Sequence, residues 1–182
     1  MTSNYGYIKI LPGQLKLLTI TLAGIIMAMS YSAYFLSDYT HNRDQHRDKF
    51  TDNELRSLWR ELYLMGVSTV CFILSSLNLW LYCHSVEFYW KTRNAIYDFL
   101  YHSFAALLLA TSGILFIVSG VKIFQFNCTG ENGCQLFELK LGAGGLAMLT
   151  SVIFGAVGSV ILTNRKDVER EALMADKKSN SI

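Results

Sequence analysis

Four apolar blocks, Leu17 to Leu36, Leu62 to Cys83, Phe99 to Val121 and Leu141 to Leu162, decide what this chain can become. Each is about the length an α-helix needs to cross a hydrocarbon core of roughly 30 Å. A chain that is 52% hydrophobic, with a single proline, is too apolar for an ordinary soluble domain, and its mean hydropathy of +0.29 agrees. The expectation is an all-α membrane protein: a four-transmembrane-helix bundle over residues 1–165, followed by a short cytosolic tail over 166–182. An even number of crossings puts both termini on one side. The first block is long for a signal-peptide core, lacks a small-x-small cleavage site and follows a tyrosine-rich stretch, so it reads as a retained helix. A net charge of +2 makes no case for nucleic acid.

Orientation needs more than counting. With the termini inside, nine Lys and Arg residues lie on their side: Lys9, Lys16, Lys91, Arg93 and five in the tail. Seven lie on the other: Arg43, Arg47, Lys49, Arg56, Arg60, Lys122 and Lys140. That difference is small. The stretch FNCTGENGC, from Phe126 to Cys134, carries the stronger signal. Cys128 and Cys134 are spaced to close a small disulfide ring with turn freedom from Gly130 and Gly133, and Asn127 heads an Asn-x-Thr glycosylation acceptor. Both modifications belong to the extracellular or lumenal side, which makes the termini cytosolic.

Other features concern packing and address. Gly24, Ala28 and Ser32 recur every fourth residue in the first span, as do Ala106 and Ala110 in the third and Ser151, Gly155 and Ser159 in the fourth. Such stripes let helix backbones approach closely, within the bundle or against a second copy. Between the first two spans, Thr51 and Glu54 form a capping box that predicts a second helix starting near Asp52, with Leu55, Leu58, Trp59 and Leu62 toward the bilayer. His41, Asp44, His46 and Asp48 have no closed metal-site spacing, so that loop reads as a solvated charge run. Phe88, Tyr89 and Trp90 beside Lys91 and Arg93 read as an anchor at the headgroups. Cys71 reads as core packing; Cys83 is either a palmitoylation site or a plain interfacial thiol. Tyr5 and Tyr7 each open a tyrosine-x-x-bulky-apolar pattern of the kind endocytic adaptors bind, or are simply interfacial aromatics. Glu169 with Leu173 loosely matches an acidic dileucine signal on what otherwise reads as a short amphipathic helix along the inner leaflet.

Pumps, carriers and channels need ionisable groups at membrane depth, and the four blocks hold no Asp, Glu, Lys or Arg near a midplane. His102, about one turn inside the third block, is placed to meet interfacial water or a neighbouring helix. No nucleophile elbow, zinc-spaced histidine pair or phosphate-binding glycine loop is present, so no catalytic residue, cofactor, metal or small-molecule substrate is expected.

Two stretches resemble a known family. LPGQLKLLTITLAGII, Leu11 to Ile26, is similar to the opening of the MARVEL domain. KTRNAIYDFLYHSFAALLLATSG, Lys91 to Gly113, is similar to that domain's third helix in the myelin-and-lymphocyte protein and its chemokine-like-factor relatives, notably at Tyr101-His102 and Ala105-Ala106-Leu107. The resemblance implies a non-enzymatic tetraspan protein of the plasma membrane or secretory vesicles. Its expected roles are vesicle trafficking and membrane apposition, including cell–cell fusion of the myoblast type or cell junctions, with lipids, other membrane proteins, further copies or trafficking adaptors as partners. The alternative expectation is an auxiliary subunit of a channel or transporter.

Overall fold

The computed structural model describes residues 5–36, 58–84, 92–127 and 136–179, with side chains placed over 7–36, 58–84, 96–124 and 136–163. A 3-10 turn, Tyr5–Lys9, leads into α1 (Leu11–Phe35); α2 is Trp59–His84, α3 Thr92–Asn127 and α4 Phe137–Ser179. Within them Leu11–Phe35, Trp59–His84, Ile96–Phe124 and Phe137–Thr163 are long and apolar enough to cross a membrane. The chain is an integral multi-pass membrane protein built as a four-helix bundle. Helices satisfy their own backbone groups, which lipid cannot do for them. Large apolar side chains such as Leu107, Leu149 and Val152 accordingly point outward.

Each helix packs against the next, α4 closes the ring against α1, and the α3/α4 contact is the most extensive. Consecutive helices are antiparallel. The starts of α1 and α3 and the membrane end of α4 therefore meet the end of α2 at one end of the bundle, here called the near end; the other is the far end.

Buried residues step along every helix by alternating threes and fours. The seam residues are Lys16, Thr19, Ala23, Ile26, Ser30 and Ala33 in α1, and Glu61, Leu64, Ser68, Cys71 and Ser75 in α2. In α3 they are Asp98, His102, Ala105, Leu109, Ser112, Phe116, Ser119 and Ile123, and in α4 Lys140, Ala143, Ala147, Thr150, Phe154, Val157 and Ile161. This period of 3.5 residues is that of bundles packed knobs-into-holes. The hydroxyls of Thr19, Ser30, Ser68 and Ser112 are tolerated on the seam because each donates back to the carbonyl three residues earlier, at 2.8 to 3.2 Å.

The every-fourth stripes lie beside this seam. Gly24 faces Phe72, with 3.3 Å between an added Cβ and the ring, but Ala28 is exposed and Ser32 half-buried. Ala106 and Ala110 are half-buried, Ser151 is at the edge of the core, Ser159 is exposed, and a Cβ on Gly155 would meet nothing within 4 Å. Close approach follows a seven-residue spacing instead: Gly144 and Gly158 lie either side of Ser151 in α4, and Gly113 of α3 meets Gly144. A Cβ on Gly113 would lie 2.8 Å from the Gly144 carbonyl oxygen, and one on Gly144 only 2.5 Å from Ile117 Cγ1. Small residues every seventh position keep the same face toward a partner in a 3.5-residue repeat, whereas every fourth drifts off it.

Helix limits depart from expectation at three places. Leu58 has φ of +49°, through which no helix from Asp52 could continue; its carbonyl accepts the Glu61 and Leu62 N–H groups at 2.9 and 3.1 Å and so caps α2. Its side chain is buried with Ile123 and Tyr34 rather than facing the bilayer. Thr51 and Glu54 lie outside the described residues, as do the charged residues from His41 to Asp48. Second, α3 begins at Thr92, so much of the expected second connection is helix; Phe88 to Lys91 are outside the described residues. Third, α4 runs unbroken past residue 165 to Ser179, so the tail continues α4 instead of forming a separate short helix.

Candidate functional site

Among the described residues, four charged ones lie inside this bundle, and each immediately precedes one of the apolar blocks: Lys16, Glu61, Asp98 and Lys140. Their position at the head of a block makes them look like span boundaries. Their phase puts them on the seam, so the helices that carry them turn them inward.

At the near end, Lys16 Nζ lies 2.5 Å from Asp98 Oδ2 and donates to Asn78 Oδ1 at 3.0 Å. Asn78 in turn donates from Nδ2 to Asp98 Oδ1 at 2.6 Å, closing a triangle among α1, α2 and α3. His102 Nδ1 lies 2.8 Å from the Asp98 main-chain carbonyl and 3.1 Å from Oδ1; both are acceptors, so Nδ1 carries a proton. Nε2 has no partner among the described residues, and the ring lies against Phe154 with 5.5 Å between centroids. His102 thus reaches neither interfacial water nor a hydrogen bond on another helix, because its bonding nitrogen is taken by its own preceding turn. Tyr82 covers the cation, with Lys16 Nζ 3.7 Å from its ring centroid. One turn deeper, Tyr101 donates to the Cys71 carbonyl at 3.1 Å and meets Ser75 Oγ at 2.8 Å.

At the far end, Lys140 donates to Glu61 Oε1 at 2.6 Å, and Ser119 reaches the same oxygen at 3.3 Å. Glu61 Oε2 has no partner among the described residues. Leu58 and Leu136, with φ of +49° and +72°, precede this pair by three and four residues and are the only non-glycine residues with positive φ among those described.

Both pairs are diagonal. Lys16–Asp98 joins α1 to α3 and Glu61–Lys140 joins α2 to α4, helices that are not neighbours in the ring. Two crossed struts therefore close the bundle axis, one at each end. Between them the axis holds Ala23, Val67, Leu109, Phe116, Ala143 and Phe154. Burying such charges is costly unless they are paired and hydrogen-bonded, so what this arrangement does chemically is hold opposite helices together.

The earlier candidates fall elsewhere. Tyr7 is buried in the near end beside Tyr82, and Cys83 is a buried free thiol in the same cluster. Cys71 is a buried free thiol in the core. Cys128 and Cys134 lie outside the described residues; the backbone of Tyr5, Asn127, Glu169 and Leu173 is helical, but their side chains lie outside the description. Among the described residues no cluster of His, Cys, Asp or Glu could hold a metal ion. Lys16 and Lys140 are core residues rather than loop charges, one from each side, so the difference in basic residues between the two sides is unchanged. The signal that finds the four charges is phase: each sits three or four residues ahead of the next buried position. Their partners are set only by the tertiary arrangement. The chain matches no protein-family model, no curated protein and no solved structure.

Proposed function

We infer that this protein is a non-enzymatic tetraspan organiser of membranes, with cytosolic termini, acting in vesicle trafficking and membrane apposition, including cell–cell fusion or junctions. The observation that carries this reading is the pair of crossed struts. Both buried acids are held by cations of the opposite helix, so the interior braces the bundle and the working surfaces are the lipid-facing exterior, the loops and the ends. The MARVEL resemblance of residues 11–26 and 91–113 supports the same reading, as does the disulfide-and-acceptor pattern of Asn127, Cys128 and Cys134 in the sequence.

Depletion in cells that make the protein tests it. Apposed membrane area at contact sites should fall by half or more, with cargo vesicles accumulating nearby. Unchanged apposition and cargo delivery would sink the organiser reading. The second reading, an auxiliary subunit of a channel or transporter, draws on the outward face of α4, where Gly145 and Gly155 are open and Ser159 is exposed, leaving room for another helix. Co-purification with a larger ion-conducting protein, and a conductance altered by depletion, would favour it.

A further inference from the structure

The N-terminal 3-10 turn is fastened to the near-end strut by one aromatic column. Tyr7 is only 2% exposed, and its ring stacks on Tyr82 at 4.9 Å between centroids with 19° between planes. Tyr82 also covers Lys16, 3.7 Å from Nζ to centroid, and Cys83 is buried in the same cluster, with Ile8 and Leu79 packed against it. The turn folds back on α1: the Ile10 N–H donates to the Tyr7 carbonyl at 3.3 Å, and the Gln14 side-chain amide donates to the Lys9 carbonyl at 3.4 Å. The Tyr7 carbonyl occupies the space that any side chain at Gly13 would need.

The docked residues are the tyrosine-x-x-bulky-apolar tetrad Tyr7-Ile8-Lys9-Ile10. Proteins that read such a tetrad take it as an extended strand, with the tyrosine ring and the last apolar side chain in separate pockets. A 3-10 turn with a buried Tyr7 presents neither the backbone nor the ring, although Ile10 is exposed. We propose that the segment is a releasable strap: docked, it hides Tyr7 and shields Cys83; undocked, it offers Tyr7 to Ile10 as an extended peptide to a cytosolic tyrosine-motif adaptor. Release is feasible because a five-residue 3-10 turn has little stability of its own, and the hydrogen bonds that fold it back on α1, at 3.3 and 3.4 Å, are long. The biological setting rests on the reading that the N-terminus is cytosolic; the strap and its peptide are tested on purified protein, where sidedness does not enter.

The full chain in detergent or nanodiscs is treated with a water-soluble maleimide, and labelling of Cys83 is followed on its own peptide by mass spectrometry. Binding to the purified tyrosine-motif-binding subunit of an endocytic adaptor is measured in parallel. Wild type should label slowly and bind weakly. Gly13→Val, which cannot accommodate the docked turn, and Tyr82→Ala, which removes the stack, should each raise Cys83 labelling and adaptor affinity tenfold or more. Cys71, inside the bundle, should stay protected in both, which separates undocking from unfolding. Adding Tyr7→Ala to Gly13→Val should keep the fast Cys83 and abolish adaptor binding. Equal Cys83 labelling in wild type and both variants overturns the strap. Adaptor binding as tight in wild type as in Gly13→Val, or no binding to an opened variant whose Cys83 labels fast, overturns the concealed peptide.

Discussion

At the near end Asp98 is served by Lys16, Asn78 and His102, and Tyr82 covers the cation, whereas at the far end Glu61 accepts Lys140 and Ser119 through one oxygen and leaves the other unpartnered among the described residues. Both ends solve the same problem, joining opposite helices across an apolar axis. They differ in redundancy. Near-end charge is shared over three helices and an aromatic ring, so no single donor is indispensable. Far-end charge hangs on one lysine, beside two helix starts held at positive φ by buried or half-buried leucines. A left-handed conformation costs a bulky residue about 1–2 kcal/mol, so the far end carries both the thinner bonding and the local strain. It is the end built to give first.

The largest expected effect is therefore at Lys140. Replacing it with Met leaves the Glu61 carboxylate buried with only the Ser119 hydroxyl, and stripping one partner from a buried pair costs about 3–5 kcal/mol. Unfolding in mixed micelles with increasing denaturing detergent should show that loss. Adding Glu61→Leu should recover most of it, because a neutral apolar pair of similar volume is often as stable as the ion pair it replaces. A Lys140→Met variant as stable as wild type would mean that the strut contributes nothing, and the comparison would collapse.

Lys16→Met should cost less, about 1–3 kcal/mol, since Asp98 keeps N–H donors from Asn78 and His102. The same unfolding assay separates the two cases. A Lys16→Met loss equal to that of Lys140→Met would show that the surrounding donors do not share the charge. Asn78→Leu in the Lys16→Met background should then cost more than Asn78→Leu alone, because the remaining donors work as a unit.

How much of this could be read in advance depends on the residue. The four spans were legible because a run of apolar side chains of membrane length has few alternatives. Lys16, Glu61, Asp98 and Lys140 were not, because hydropathy ends a span at a charge, and each of these charges stands one residue before the block it belongs to. Their phase with Thr19, Leu64, His102 and Ala143 was in the sequence; that Lys16 finds Asp98 across the bundle rather than a neighbour was not, since pairing depends on the ring order of the helices. The glycines show the same limit. Gly24, Ala28 and Ser32 make a visible stripe, yet Gly113 against Gly144 makes the contact, because a 3.5-residue seam selects sevenths rather than fourths.

The smallest and sharpest test sets one glycine of each end against the other. Gly158 admits His102 at the near end, and Gly120 admits Lys140 at the far end. A Cβ on Gly158 would lie 3.0 Å from His102 Cβ and 3.4 Å from the Phe99 carbonyl oxygen, so a stiff part of the neighbour must move. A Cβ on Gly120 would lie 3.4 Å from Lys140 Cβ, an ordinary contact. Alanine favours a helix over glycine by about 0.5–1 kcal/mol, and overpacking a tight site costs about 1–3 kcal/mol. The two terms oppose each other at Gly158, where packing wins and Gly158→Ala should lose about 1 kcal/mol. At Gly120 only the helix term operates, and Gly120→Ala should gain up to about 0.5–1 kcal/mol. Opposite signs in one assay would show that the seam is packed to its limit at Gly158 and has slack at Gly120. The same sign in both would mean that the two ends differ in hydrogen bonding alone.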